Sequence, residues 1–262
     1  VPTIVSFDDD MTYTRQMLSR QMQSNSYITD GALDILAMSR GYTQNETVYT
    51  FGKSRNTTYV ATAAVDSSYG TISSSNLKNW SPLKNTSSTP PNNVVWDGTK
   101  WIVTRNDQYS ILYSYNAESF TSVDVSGTKL RSIAKNSQLY VGVGSGGVYY
   151  SYDGINWNNS TSGSSLLDNM NTTTAQIGKV VWNGSLWVAV GNGTTYTIIY
   201  SLDGINWTGV SNSKIIFDIE GGGIDLVWNG TIWVGIGANS SGKLIATSSN
   251  GVDWTTANMV FV

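Results

Sequence analysis

The chain has 262 residues, 15 Lys and Arg against 18 Asp and Glu, and a formal charge of −3. Zero Cys excludes a disulfide framework, a thiolate metal site and a Cys nucleophile, while zero His removes the usual general base, zinc ligand and pH switch. Few and scattered basic residues argue against nucleic acid or an anionic membrane as partner, no apolar run reaches the length of a membrane span, and no cofactor is implied.

The chain opens at Val1 without Met, which reads as a processed product or a fragment, and no signal peptide is visible. Residues 1–42 share no pattern with residues 43–262. Val1 to Phe7 is extended and apolar. Asp8, Asp9 and Asp10 read as a solvated turn or helix start, because consecutive carboxylates on an extended chain do not converge on one cation. Met11 to Met22 places Met11, Thr14, Leu18 and Met22 near one face of a helix. This segment is an arm, partly helical, that either packs on its own domain or docks on a partner.

From residue 43 to 262 a cassette recurs. A degraded first copy has Tyr59-Val60-Ala61-Thr62-Ala63 and Ser74-Ser75-Asn76, closing on Trp80. The second has Val94-Val95-Trp96-Asp97-Gly98-Thr99-Lys100-Trp101 and Tyr113-Ser114-Tyr115-Asn116, closing on Phe120. The third has Leu139-Tyr140-Val141-Gly142-Val143-Gly144 and Ser151-Tyr152-Asp153-Gly154-Ile155-Asn156-Trp157. The fourth runs Val180-Val181-Trp182-Asn183-Gly184-Ser185-Leu186-Trp187-Val188-Ala189-Val190-Gly191, then Ser201-Leu202-Asp203-Gly204-Ile205-Asn206-Trp207. The fifth repeats it at Leu226 to Gly237 and ends Ser248-Ser249-Asn250-Gly251-Val252-Asp253-Trp254. The closing aromatics are spaced by 40, 37, 50 and 47 residues. Each unit holds three strand-like runs and a weaker fourth, joined by Asn-Gly and Asp-Gly, the signals of type I′ hairpins. Four antiparallel strands at this period match a propeller blade, since a sandwich would not repeat one sequence in every unit. The expected fold is all-β, a propeller of four-stranded blades. Five blades is the first reading; six, with the N-terminal strand closing the last, is the alternative.

The Ser-x-Asp-Gly-x-x-Trp element resembles the Asp box of the bacterial neuraminidase repeat families, which include sialidases, photosystem-assembly-factor-like propellers and sortilin-like receptors. The likeness spans roughly residues 45 to 257 and is close at Ser151 to Trp157 and Ser201 to Trp207. The boxes then comprise Asn76, Asn116, Asp153, Asp203 and Asn250. Each is a turn whose Asp or Asn side chain accepts from nearby backbone N–H groups, with the Trp filling the gap between strands. That makes the Asp a structural staple and not a catalytic group.

On the rim opposite the boxes, the second-to-third loops and the inter-repeat links vary in length and content, and a rigid scaffold builds sites from such loops. The ligand-binding candidates there are Tyr69, Arg105, Asp107, Tyr109 and Tyr196, aromatic rings with an Arg–Asp pair that suit a sugar or a peptide. Gly142-x-Gly144-x-x-Gly147 fits a dinucleotide pattern but spans a hairpin with no helix after it. Gly221-Gly222-Gly223 reads as a flexible link. A sialidase resemblance implies three converging arginines, a Tyr nucleophile paired with a Glu, and an Asp acid/base. Here Arg55, Arg105 and Arg131 fall at three different positions within their units, and only Glu46, Glu118 and Glu220 are placed to serve a Tyr.

Low Lys and Glu with high Asn, Ser, Thr, Tyr and Trp resembles secreted, cell-surface and virion-structural proteins, and the repeats resemble those of large DNA viruses and marine microbes. Sequons are abundant, Asn45, Asn183 and Asn229 among them, and arise readily where turns want Asn-Gly. The expected function is a non-enzymatic structural or adhesive module, on a virion surface or extracellular, engaging a protein or surface glycan through the variable rim. A glycan-binding lectin is the alternative, and a sialidase-like hydrolase the remote one. No metal site and no catalytic residue are expected.

Overall fold

The computed structural model describes residues 46–53, 58–65, 68–87, 90–105, 110–125, 129–168, 178–218, 221–240 and 242–257. The arm at 1–42, with its expected strand, acidic triplet and helix, lies outside them.

Five four-stranded antiparallel sheets form, each from one contiguous stretch, with strands in chain order. The first holds β1 (Glu46–Lys53), β2 (Tyr59–Val65), β3 (Ser68–Ser74) and β4 (Lys84–Ser87). The second holds β5 (Pro91–Trp96), β6 (Trp101–Arg105), β7 (Ser110–Ser114) and β8 (Thr121–Asp124). The third holds β9 (Lys129–Lys135), β10 (Tyr140–Ser145), β11 (Gly147–Ser151) and β12 (Asn158–Asn159). The fourth holds β13 (Lys179–Trp182), β14 (Trp187–Val190), β15 (Ile198–Ser201) and β16 (Thr208–Gly209). The fifth holds β17 (Gly223–Trp228), β18 (Trp233–Asn239), β19 (Gly242–Ser248) and β20 (Thr255–Thr256). Two short helices, α1 (Thr161–Leu166) and α2 (Ser213–Ile216), come after the last strands of the third and fourth sheets.

The apolar pattern explains how the sheets meet. β14 is buried at every position, which accounts for its unbroken Trp-Val-Ala-Val run where a half-exposed strand would alternate. Its two faces serve two cores. Trp187 and Ala189 join Leu139, Val141 and Val148 of the third sheet, while Val188 and Val190 join Leu226, Trp233 and Trp254 of the fifth. Val95, Ile102 and Ile111 likewise pack with Leu130, Ile133 and Tyr149. The hydrophobic cores therefore lie mainly between successive sheets. The first strands also pack in sequence, β1 on β5, β5 on β9, β9 on β13 and β13 on β17. Side chains tie these inner strands together: Asn93 Oδ1 accepts from the Ile133 amide at 3.2 Å, and Ser132 Oγ from the Val180 amide at 3.4 Å.

In the second to fifth sheets the first-to-second connection is a four-residue loop, and here the expected type I′ turn is corrected. At Asn183 to Leu186 only Gly184 has positive φ, at 105°. Asn183 is there for its side chain: Oδ1 accepts from the Ser185 and Leu186 amides at 2.9 and 2.7 Å. Asn136 does the same for Gln138 and Leu139 in a loop that has no glycine. Across this loop Trp96 faces Trp101, Trp182 faces Trp187 and Trp228 faces Trp233, with ring centroids 4.9–5.0 Å apart.

The Gly142 to Gly147 segment is a β10–β11 hairpin, as expected. Gly221 to Gly223 is not a slack link. A Cβ at Gly221 would stand 2.5 Å from that of Ala238, and one at Gly223 would stand 2.5 Å from Val190. The Gly222 carbonyl accepts from the Ala238 amide at 3.1 Å. These glycines allow close packing of the chain on two neighbours.

Candidate functional site

The strand order puts two kinds of turn on one rim, the first-to-second loops and the Ser-x-Asx turns between third and fourth strands. In the clearest, Ser201 Oγ accepts from the Asp203 and Gly204 amides, and Asp203 Oδ1 accepts from the Ile205 and Asn206 amides at 2.8 and 2.7 Å. Asn206 Nδ2 donates to Asp203 Oδ2 at 2.8 Å, and Trp207 Nε1 donates to the Gly204 carbonyl at 3.2 Å. Asp153 and Asn250 repeat the pattern. So do Asn76 and Asn116, although Leu77 and Ala117 replace the glycine and are held at φ 64° and 62°. A non-glycine residue there costs on the order of 1 kcal/mol, so the turn's hydrogen bonds and the packed aromatic dominate the local preference.

Partial burial pushes the carboxyls of Asp153 and Asp203 up, but bonds from the amides of residues 155–156 and 205–206 outweigh it and hold both at about 2. A carboxylate so firmly ionised and so fully engaged is a poor proton donor near neutral pH. The turns also seal the junctions between sheets. The outer edge of the third sheet holds the next turn: Ser160 Oγ donates to the Ile205 carbonyl at 2.6 Å, and Ser162 Oγ accepts from the Trp207 amide at 3.0 Å. Asn212 Nδ2 donates to the Trp254 carbonyl at 2.9 Å one junction later. Lys84 pairs with Glu118 between the first and second sheets.

One junction departs from the repeat. Asp97 stands where other loops have Asn, and Lys100 where they have Leu139, Leu186 or Ile232. Tyr140 and Lys135 replace the facing Trp pair. The four residues meet between the second and third sheets. Asp97 Oδ1 accepts from the Thr99 and Lys100 amides, each at 2.7 Å; Oδ2 accepts from Lys100 Nζ at 2.7 Å and from the Tyr140 hydroxyl at 2.6 Å. Lys135 Nζ donates to the Asp97 carbonyl at 2.9 Å, and both ammonium groups lie 5.3–5.4 Å from the Tyr140 ring centroid. Asp97, Lys100 and Tyr140 are buried. Burial alone pushes the Asp97 carboxyl up, but bonds from Lys100, Tyr140 and Thr99 outweigh it and hold the group well below its ordinary 3.8. Burial, then the bond to and charge of Asp97, pushes the Tyr140 phenol well above its ordinary 10.0. The cluster satisfies its own charges, so its chemistry is that of a buried ionic clasp.

The opposite rim carries the sequence-predicted ligand residues. Tyr69 is half-buried in β3, and half-buried Arg105 ends β6, so both lie in strands at the hairpin ends and not in the loops. Asp107 and Tyr109 lie outside the described residues. Tyr196 is half-buried, its ring over Gly209, where a Cβ would stand 2.4 Å away, and against the core that includes Trp207. Tyr69, Arg105 and Tyr196 belong to the first, second and fourth sheets. Arg131, in β9, is half-buried, which lowers its pKa. Arg105 and Arg131 thus sit on strands of different order in their sheets, as their differing repeat positions imply.

This rim also shows structure that sequence reasoning missed. Asp168, after α1, accepts from the Thr194 amide and hydroxyl at 2.6 and 2.7 Å. Lys214 Nζ, on α2, donates to the Thr194 carbonyl at 2.8 Å, and Thr197 Oγ1 donates to the carbonyls of Ser213 and Phe217. The loop from Gly191 to Thr197 is thereby clamped through Asp168, Lys214 and Thr197, and Ile215 of α2 is exposed. Among the described residues no group of three or more acidic side chains is arranged to hold a metal ion, and no helix is long and apolar enough to cross a membrane.

Comparison with family models finds no match, and comparison with curated sequences finds none. Solved structures are informative about the fold. A xyloglucanase of family GH74 from Xanthomonas campestris matches with a TM-score of 0.61 at 12% identity, over 81% of this chain and 38% of that one. A chain of a nidogen/laminin complex matches with a TM-score of 0.54 at 9% identity, over 81% of this chain and 80% of that one. A protein from Lactobacillus plantarum matches with a TM-score of 0.52 at 11% identity, over 79% and 69%.

The fold is that of a β-propeller. In a propeller the first strands face the central axis and the fourth strands lie outermost, so the clasp sits at a junction between neighbouring blades. At these identities the likeness carries no activity from the xyloglucanase. The chain spans little more than a third of that enzyme.

Proposed function

We propose that this propeller is a non-catalytic structural or adhesive module of the Asp-box type, closed by β17 meeting β1 into five blades and displayed on a virion or in a secreted assembly. Its partner, a protein or a surface glycan, is engaged through the rim opposite the boxes. The state of the repeated aspartates carries this reading. Asp153 and Asp203 are committed to backbone and side-chain donors within their own turns and are held ionised at about 2. They are therefore staples, where a hydrolase needs a carboxyl titrating nearer its working pH. The clamped loop at Gly191 to Thr197, with Ile215 of α2 exposed, supports a preformed docking face on the opposite rim.

Native mass measurement of the particle or complex that contains the chain tests the assembly role, and the expected result is stoichiometric incorporation. In parallel, the purified chain is incubated with aryl glycosides, sialosides included, with no turnover expected. Hydrolysis that disappears in Asp203→Asn would overturn the non-catalytic reading. Recovery of the chain only as a free monomer from its source would overturn the assembly role.

A further inference from the structure

The Ser-x-Asx rim carries a feature that the turns do not need. The turn's hydrogen bonds run through the Ser and the Asx, not through the side chain between them, and in the first and fifth sheets that residue is Ser75 and Ser249, both exposed. In the three sheets between them it is Tyr115, Tyr152 and Leu202, exposed at 66%, 68% and 78%. Three large apolar side chains thus occupy the same place in three successive sheets, forming an arc along one rim. The two tyrosines are braced. Tyr115 meets Tyr113 at 5.8 Å and 82° between ring planes, and Tyr152 meets Tyr150 at 6.0 Å and 84°. Edge contact of this kind holds a ring upright without covering it, which limits the ordering cost of binding.

The surroundings select the ligand's chemistry. The turn segments 115–119, 152–156 and 202–206 contain no Lys or Arg; Glu118 is paired with Lys84, while Asp153 and Asp203, bonded within their own turns, keep exposed carboxylates beside Asn156 and Asn206. Such a surface repels sulfated, phosphorylated and sialylated ligands. It offers acceptors and carboxamides to hydroxyl groups, and ring faces to apolar C–H faces. We infer that this arc is a binding platform for a neutral oligosaccharide, its sugar rings lying on Tyr115 and Tyr152 and its chain passing over Leu202. The surface is distinct from the docking face of the proposed function, on the opposite rim, so the two stand or fall separately. Because the arc repeats one element, binding at each point is weak and gains from a ligand long enough to span several.

The test uses the full chain and an array of immobilised neutral hexasaccharides of glucose, mannose, galactose and N-acetylglucosamine, with heparin and a polylysine peptide as charged probes. At least one neutral hexasaccharide should retain the protein, and the matching disaccharide should do so far more weakly. Tyr115→Ser with Tyr152→Ser, which installs the residue found in the first and fifth sheets, should weaken retention by about tenfold or more while the melting temperature holds. Tyr115→Phe with Tyr152→Phe should retain most of the binding, and Tyr69→Ser on the opposite rim all of it. Failure of every neutral hexasaccharide, equal binding by the double Ser variant, or retention by heparin or polylysine in their place would overturn the inference.

Discussion

Tyr140 donates its hydroxyl hydrogen to the Asp97 carboxylate at 2.6 Å, joining the second strand of one sheet to the first loop of the sheet before it. At the next two junctions the residue equivalent to Tyr140 is Trp187 or Trp233, and the residue equivalent to Lys100 is Leu139 or Leu186. An apolar seal has been exchanged for an ionic one at this junction alone among those described. A phenol in place of an indole puts a hydroxyl where it needs a partner, and the carboxylate supplies it.

Breaking the clasp one residue at a time should cost more than removing it whole. Lys100→Leu alone leaves a buried carboxylate without its cation and should destabilise the fold by about 3–5 kcal/mol. Tyr140→Phe removes one bond to a charged group, about 1.5–3 kcal/mol. Installing the repeat's own solution, Asp97→Asn, Lys100→Leu, Lys135→Trp and Tyr140→Trp together, should restore parental stability to within about 1–2 kcal/mol or exceed it. Urea denaturation of the variants measures all three.

Acid should weaken the protein through these carboxylates. Asp97, Asp153 and Asp203 all have folded-state pKa values below the ordinary 3.8. Their stabilisation is therefore full above the unfolded-state pKa near 4 and is lost as pH falls towards 2 and below. Tyr140 acts at the other end. Its raised pKa contributes stability below pH about 10 that is lost as pH rises beyond it, because the unfolded phenol ionises first. The melting temperature should form a plateau between roughly pH 5 and 9, falling on both sides. Tyr140→Phe should flatten the alkaline fall, as a pH series of thermal melts would show.

Trp187 and Asp203 both belong to the repeat but should differ in weight. Trp187 is fully buried between two sheets, and Trp187→Ala should cost about 3–5 kcal/mol or prevent folding. Asp203→Ala removes the acceptor for two turn amides at a solvent-exposed position, and should cost on the order of 1 kcal/mol. Parallel chemical denaturation of the two variants checks the ranking.

All five sheets begin after residue 45. A chain beginning at Gly41 should therefore fold, with β-rich circular dichroism and nearly the parental melting temperature, yet fail to join its native complex. Aggregation of that truncated chain would show instead that the first 40 residues complete the propeller.

The repeat was legible because its second strands share one pattern, an aromatic followed by small and β-branched residues, clearest in Trp-Val-Ala-Val at Trp187 and Trp-Val-Gly-Ile at Trp233. Turn geometry was less so: Asn-Gly marks both a type I′ hairpin and the four-residue loop built on the Asn183 side chain, and only the backbone distinguishes them. Tyr196 was read as a free loop aromatic because the space over Gly209 that receives its ring comes from the paired strand β16. The clasp did leave a trace, since aligning the units places Asp97, Lys100, Lys135 and Tyr140 as four departures in one region. That they meet depends on contact between separate sheets, which no single unit encodes. The exposure of Tyr115 and Tyr152 was hidden for the opposite reason, because they fall inside a motif whose other members are structural.

The outermost strands are short and polar. β12, β16 and β20 are two residues long, Asn158–Asn159, Thr208–Gly209 and Thr255–Thr256, and in the third and fourth sheets the chain then turns at once into a helix. A sheet edge of that length offers few free N–H and C=O groups in register, so a second copy has little to extend by strand addition. At these three sheets, strand pairing between the sides of neighbouring copies is therefore disfavoured.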